Sequence, residues 1–242
     1  MKSDRDFFKK FPAKDLVLLI FGIILMIINF DFLAQIKYVR DFYLLIIFVK
    51  NTIAALLIIY SFVIIIMYFV KRTSTKTFLS NLEEVRKDFI AYITKNEKTL
   101  IADFVSFRPW MAEEFYVKSV RSVPSIFIPL YLVAFALKDN KLYITEAKVD
   151  VMNKEFQITG YYTYATTDLI STNLSQDRIM FSSSLGENVG ATVEFIEINT
   201  NAGITKIPLF EEELLSSFGN VKPLRNEFIQ KVSMVISVLN RN

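Results

Sequence analysis

Residues 16–30 read LVLLIFGIILMIINF, and residues 43–70 read YLLIIFVKNTIAALLIIYSFVIIIMYFV. These two runs decide the architecture. A helix that crosses a bilayer needs about 20 mostly apolar residues at about 1.5 Å each. Extended through Phe32 and Leu33, and opened by Pro12, the first run predicts a span over 14–33. The second predicts a span over 50–70, with Lys50 and Asn51 as its polar residues. Lys50 then falls at the outer boundary, where its ammonium reaches water. A pore or pairing charge is the other role for a lysine there. A cleaved signal peptide is the competing reading of the first run, but only a lone Ala34 follows it and no A-x-A site.

Charge around the two runs sets the expected orientation. Lys2, Arg5, Lys9, Lys10 and Lys14 precede the first, and Lys71, Arg72 and Lys76 follow the second. The connector holds Lys37 and Arg40. The bias places both termini on the cytoplasmic side of a cell membrane. Residues 1–71 thus form a transmembrane hairpin, with 72–98 as a linker helix and 99–242 as a soluble domain.

Composition agrees with this division. The 242 residues are 52% hydrophobic, with a mean hydropathy of +0.36 and a net charge of +3. The apolar excess lies before Lys71. So weak a positive charge does not suggest a nucleic-acid polymer as partner. The chain has no cysteine and no histidine. That removes disulfides, Cys/His zinc sites, thiol nucleophiles and a histidine base. No cofactor and no metal site are expected.

Beyond the hairpin, Thr77–Asn96 carries Phe78, Leu82, Val85, Phe89 and Ile93 at helical spacing. From Thr99 the period falls to two. Strands are predicted at Leu100–Phe107, Ile126–Leu137, Lys141–Val151, Glu155–Tyr164, Arg178–Ser183, Thr192–Asn199 and Ile204–Phe210. Lys138-Asp139-Asn140-Lys141 reads as a tight turn, since Asn and Asp tolerate positive φ. Pro223 opens a last helix with a stripe of Leu224, Phe228, Val232, Val235 and Leu239. The expected fold class is therefore α+β, about seven antiparallel strands with a C-terminal helix behind a two-helix hairpin.

Seven such strands and one closing helix resemble the pleckstrin-homology-like fold in its bacterial, GRAM-like form. The local likeness is strongest at Phe135-Ala136-Leu137-Lys138-Asp139-Asn140-Lys141-Leu142-Tyr143-Ile144-Thr145. It covers Leu100–Asn242 and implies a partly open barrel joined to membrane spans. Phosphoinositide-binding relatives carry a long basic loop early in the fold. The Asp139-Asn140 turn is too short and too uncharged for that.

Chemistry-bearing candidates are few. Glu83-Glu84, Glu113-Glu114 and Glu211-Glu212-Glu213 are paired acids, but neighbours on a helix point to different faces. Acids at a helix start complement its dipole, which is the expected role of Glu211–Glu213. No catalytic residue is assigned. Ser182, Ser183, Ser184, Gly186 and Asn188 form a small polar loop whose backbone amides can cradle a phosphate. Arg108, Trp110, Tyr116, Lys118 and Arg121 mix basic and aromatic residues in the manner of a membrane interface, as do Lys71 and Arg72 beside the second run.

The sequence points to a membrane-tethered adaptor that is not an enzyme. Its partners would be the bilayer and either a protein or its own copies. The alternative is a ligand-gated effector, similar to two-span proteins of bacterial antiphage systems, in which a small nucleotide binds the soluble domain and the spans disrupt the membrane.

Overall fold

The computed structural model describes residues 4–8, 11–29, 31, 35–36, 38, 40–71, 74–95, 97–182 and 188–240. It divides into two compact units. One is Lys9–Thr73; the other joins Met1–Phe8 to Ser74–Asn242.

The first unit is a pair of packed helices, α1 (Ala13–Ile27) and α2 (Tyr43–Lys71). The helix α2 is long and apolar enough to cross a membrane by length and composition. Its 29 residues measure about 43 Å. The first helix is shorter than expected. Its regular part stops at Ile27, because Ile28 is extended and the polar Asn29 and Asp31 follow. Fifteen residues reach only about 22 Å. Lys50 is the eighth residue of α2 rather than the first of a span. Its ammonium donates to the Ile28 carbonyl at 2.8 Å. A cation at a helix C-terminus satisfies an orphan carbonyl and complements the dipole. Gly22 lets the two helices approach closely: a Cβ there would lie 3.2 Å from the Ala54 carbonyl oxygen and 3.0 Å from Ile58 Cγ1. Ala54 and Ser61, seven residues apart on α2, are fully buried. Most large side chains on both helices are exposed, among them Phe21, Ile27, Leu44, Phe48, Phe62 and Phe69.

The second unit is α+β, with nine strands in three sheets. The chain runs through helix α3 (Thr75–Thr94), then β1 (Thr99–Phe107), β2 (Tyr116–Val120), β3 (Val123–Ile128), β4 (Leu130–Lys138), β5 (Lys141–Asp150) and β6 (Glu155–Ala165). It continues with β7 (Leu169–Ser182), β8 (Asn188–Thr200), β9 (Gly203–Glu211), α4 (Glu213–Ser217) and α5 (Lys222–Leu239). The order in the first sheet is β1-β4-β5-β6, and in the second β7-β8-β9; β2 and β3 pair only with each other. All pairs are antiparallel.

Two differences from the expected seven strands have local causes. The predicted strand Ile126–Leu137 is two strands, broken at Pro129, which follows a cis peptide bond and has no N–H to give a ladder. The segment Tyr116–Ile128 is a hairpin whose turn residues Arg121 and Ser122 both take positive φ. Such a turn matches the twist of the flanking strands. The Asp139-Asn140 turn has the same conformation, as their side chains suggested.

Every residue of β4 from Leu130 to Ala136 is buried. Side chains alternate across a sheet, so both faces of the first sheet must be covered. On one face lies α3, started by Ser74, whose hydroxyl accepts the Thr77 N–H at 3.1 Å. Its stripe of Phe78, Val85, Phe89 and Ile93 is buried, with Phe89 edge-on to Phe156 of β6 at 5.4 Å. On the other face lie the second sheet and α5: Phe104 of β1 meets Phe135 and Phe228, and Phe228 stacks on Phe210 at 5.0 Å.

The N-terminal residues belong to this core. Phe7 is buried and meets the Phe78 ring edge-on at 4.8 Å. The Asp4 carboxylate accepts the N–H groups of Met152 at 2.7 Å and Val151 at 3.3 Å. Burial raises the pKa of Asp4 to about 6 against those two bonds. Removing a buried phenylalanine ring costs about 3–5 kcal/mol. Phe7→Ala in the full chain therefore lowers the urea midpoint followed by Trp110 fluorescence in detergent. An unchanged midpoint would separate the N-terminal arm from the core.

Candidate functional site

A recess in the β-bearing unit lies at the outer edge of β1. It is a cavity of about 260 Å³ walled by α3, β1, the β2–β3 hairpin, β9, α4 and α5. Its lining is dominated by phenylalanine: Phe104 and Phe107 from β1, Phe127 from β3, Phe210 from β9 and Phe228 from α5. The size and lining suit one apolar group, since even a 150 Å³ apolar cavity takes up a benzene ring.

The charged residues at its margin are already paired. Arg86 of α3 holds the buried Asp103 through its Nη2 at 3.0 Å, and its Nε also contacts that carboxylate. That bond raises the Arg86 pKa. Lys231 pairs with Glu227 one turn earlier on α5 at 2.7 Å. The cavity therefore offers shape and apolar contact, with little uncompensated charge to hold an ionic ligand.

A second polar cluster lies inside the β-domain. Arg108, just after β1, forms an ion pair with Glu146 of β5, and both side chains are 6% exposed. Arg108 Nη2 also donates to the Pro208 carbonyl of β9 at 2.8 Å, and its guanidinium lies 4.8 Å from the Tyr131 ring centre. Gly160 of β6 makes room for Glu146, whose Oε1 would lie 3.1 Å from a Cβ there. The bond from Arg108 to Pro208 ties the first sheet to the second. Burial raises the pKa of Tyr131 and of Tyr162, with the Glu146 charge adding to both.

Within the β-bearing unit the predicted interface residues divide between buried, half-buried and exposed positions. Arg108, expected at a lipid surface, is buried for the reason just given. Trp110 packs on the buried Ala191, Val193 and Phe195 of β8. Tyr116 and Lys118 lie on β2, and Arg121 is at the hairpin tip. Lys71 is the last residue of α2, and Arg72 lies outside the described residues. Of the polar loop, Ser183, Ser184 and Gly186 also lie outside them. Ser182 and Asn188 end β7 and begin β8, and Ser182 Oγ donates to Asn188 Oδ1 at 3.3 Å.

The acids resolve into structural roles. Glu211 is fully buried and accepts the N–H groups of Leu214 at 2.7 Å and Leu215 at 3.2 Å, capping α4. Burial pushes its pKa up to about 7 despite those bonds. Glu194 of β8 is also buried and raised, while Arg225 at 3.3 Å opposes the shift. Among the described residues no cluster of acids could hold a metal ion.

The cavity draws its lining from six elements, and no local motif marks it.

Two expectations follow. Arg108→Ala strands the buried Glu146 carboxylate and costs about 3–5 kcal/mol in a urea titration. Glu211 has a folded pKa above its ordinary 4.5, so its contribution to stability is present below that value and lost as pH rises through about 7. The urea midpoint therefore falls from pH 5 to pH 8, and Glu211→Gln flattens the fall. Comparison with known proteins returns no match to a family model, to a curated protein or to a solved structure.

Proposed function

We propose that the chain is a membrane-tethered, non-enzymatic binding module. Its α1–α2 hairpin sits in a bilayer, and its β-domain works on the cytoplasmic face, recruiting a protein partner or a second copy. The observation that carries this reading is the division of the chain. Residues on both sides of the apolar hairpin fold into one compact unit, which supports a topology with both hairpin ends on the same side of a membrane. Exposed apolar surface on the scale of α1 and α2 is not tolerated in water. Lysine and arginine flanking the hairpin favour the cytoplasmic side.

The soluble part supports a pleckstrin-homology-like reading. Four strands in a meander are followed by three in a second meander and a closing helix, with β2–β3 as an insertion after the first strand. The phenylalanine-lined cavity at the β1 edge is then the place for an apolar side chain of a partner.

The test is topological. The chain has no native cysteine, so Ser3→Cys and Asn242→Cys report each end separately. A membrane-impermeant maleimide labels neither in intact cells and both after permeabilisation, with the chain resisting alkaline extraction of membranes. Labelling of either from outside, or release by alkali, overturns the proposal.

A further inference from the structure

The four outer edges of the two main sheets are treated differently. An uncovered edge is a template for another strand, and proteins usually blunt it. The β1 edge is walled by α3 and α5. On β6 the ladder is interrupted by an extra residue, Thr159, between Ile158 and Gly160. On β9, Pro208 removes an N–H. The 14-residue β7 has none of these, and its register with β8 runs unbroken from Ser171 to Ser182.

One residue shows which way its peptide groups point. The Thr172 N–H donates to Asn240 Oδ1 at 3.1 Å, and its carbonyl accepts from Asn240 Nδ2 at 3.2 Å. The asparagine amide at the end of α5 thus occupies the position of a neighbouring strand. Strand geometry repeats every two residues, so the N–H and C=O groups of Leu174, Gln176, Arg178 and Met180 point outward too. All four residues are exposed, Leu174 by 43% and Met180 by 61%. Among the described residues these groups have no backbone partner outside the β7–β8 ladder.

We propose that Leu174–Met180 of β7 is a homodimer edge, pairing antiparallel with the same segment of a second copy about a two-fold axis at Asp177. This rests on the binding-module reading and names the partner. Self-complementarity selects the copy and the register. Centred on Asp177, Leu174 faces Met180 of the second copy and Gln176 faces Arg178. All four outward residues are then used, in about eight backbone hydrogen bonds. A centre at Gln176 sets Met180 against Thr172, which Asn240 already holds. A centre at Arg178 sets two guanidinium-bearing residues face to face. At the chosen centre the two Asp177 carboxylates meet, but Lys206 reaches each at 2.6 Å. Arg178 lies back over Gly190 toward Glu213, clear of the edge. The pairing joins two three-stranded sheets into one of six strands.

The axis gives a sharp test on the full chain in detergent. Asp177 would face its own mate as a non-hydrogen-bonded pair, with Cα atoms about 4.5 Å apart, within disulfide range. Asp177→Cys forms a disulfide dimer under mild oxidation. Leu174→Cys, about 20 Å from its mate in this register, does not. Sedimentation equilibrium gives a dimer mass for the unaltered chain. Leu174→Pro, which removes only an outward N–H, gives a monomer with an unchanged circular dichroism spectrum. A monomeric chain overturns the proposal. So does a dimer in which Asp177→Cys cross-links no better than Leu174→Cys, which assigns association to another surface. Alkali-resistant membrane fractionation of the same variants reports separately on the tether, so it can stand while the dimer edge falls.

Discussion

Burial of β4 on both faces is the constraint from which the β-domain follows. A strand with the sequence Leu130-Tyr-Leu-Val-Ala-Phe-Ala136 has no polar side to give to water. Most antiparallel sheets cover one face and solvate the other. Here the first sheet needs a layer on each side. The second sheet and α5 supply one, and α3 supplies the other. Arg108, paired with Glu146 and bonded to the Pro208 carbonyl, and the Tyr164–Thr205 hydrogen bond at 2.7 Å hold the two sheets in one alignment. Breaking a buried ion pair is far costlier than replacing it with apolar residues, so its worth here is in specifying that alignment.

The same constraint reaches the hairpin. The covering helix α3 begins at Thr75, four residues after α2 ends, and Phe7 inserts beside Phe78 only six residues before α1 begins. The domain's outer layer is thus built from the segments that flank the apolar helices. A disturbance of that layer has a covalent route to both ends of the hairpin. Within the hairpin, contact is set by small residues: Gly22 on α1 meets Ala54 on α2, as expected where van der Waals packing is the main attraction between helices.

Much of this was legible in the sequence because it is periodic. The stripes of α3 and α5 and the Asp139-Asn140 turn are local patterns, and they appear in place. What was missed lacks local signals. Arg121-Ser122 takes a left-handed turn without glycine, asparagine or aspartate, so no turn residue marks the β2–β3 hairpin. The first half of β7, Leu169 to Asp177, carries its apolar Leu169, Ile170 and Leu174 on both faces with polar residues between them, and alternation cannot find such a strand. Arg108 among aromatic residues resembled an interface because Glu146, its partner, lies far along the chain. The cavity is assembled from six elements and has no sequence signature at all.

The open edge of β7 fits the proposed tether. In a freely diffusing protein, a regular edge bearing Leu174 and Met180 is an aggregation hazard. Gln176, Asp177 and Arg178 between them limit it, as charged gatekeepers do around unavoidable strands. On the proposed tether, copies share one plane and one orientation. Their effective concentration is high, so weak pairing suffices and strong pairing would be irreversible. A short edge of two apolar and two polar outward residues, closed at one end by Asn240, has the strength that situation calls for. The polar centre then does two things at once. It keeps the edge soluble in a single copy, and it sets the register when two copies meet.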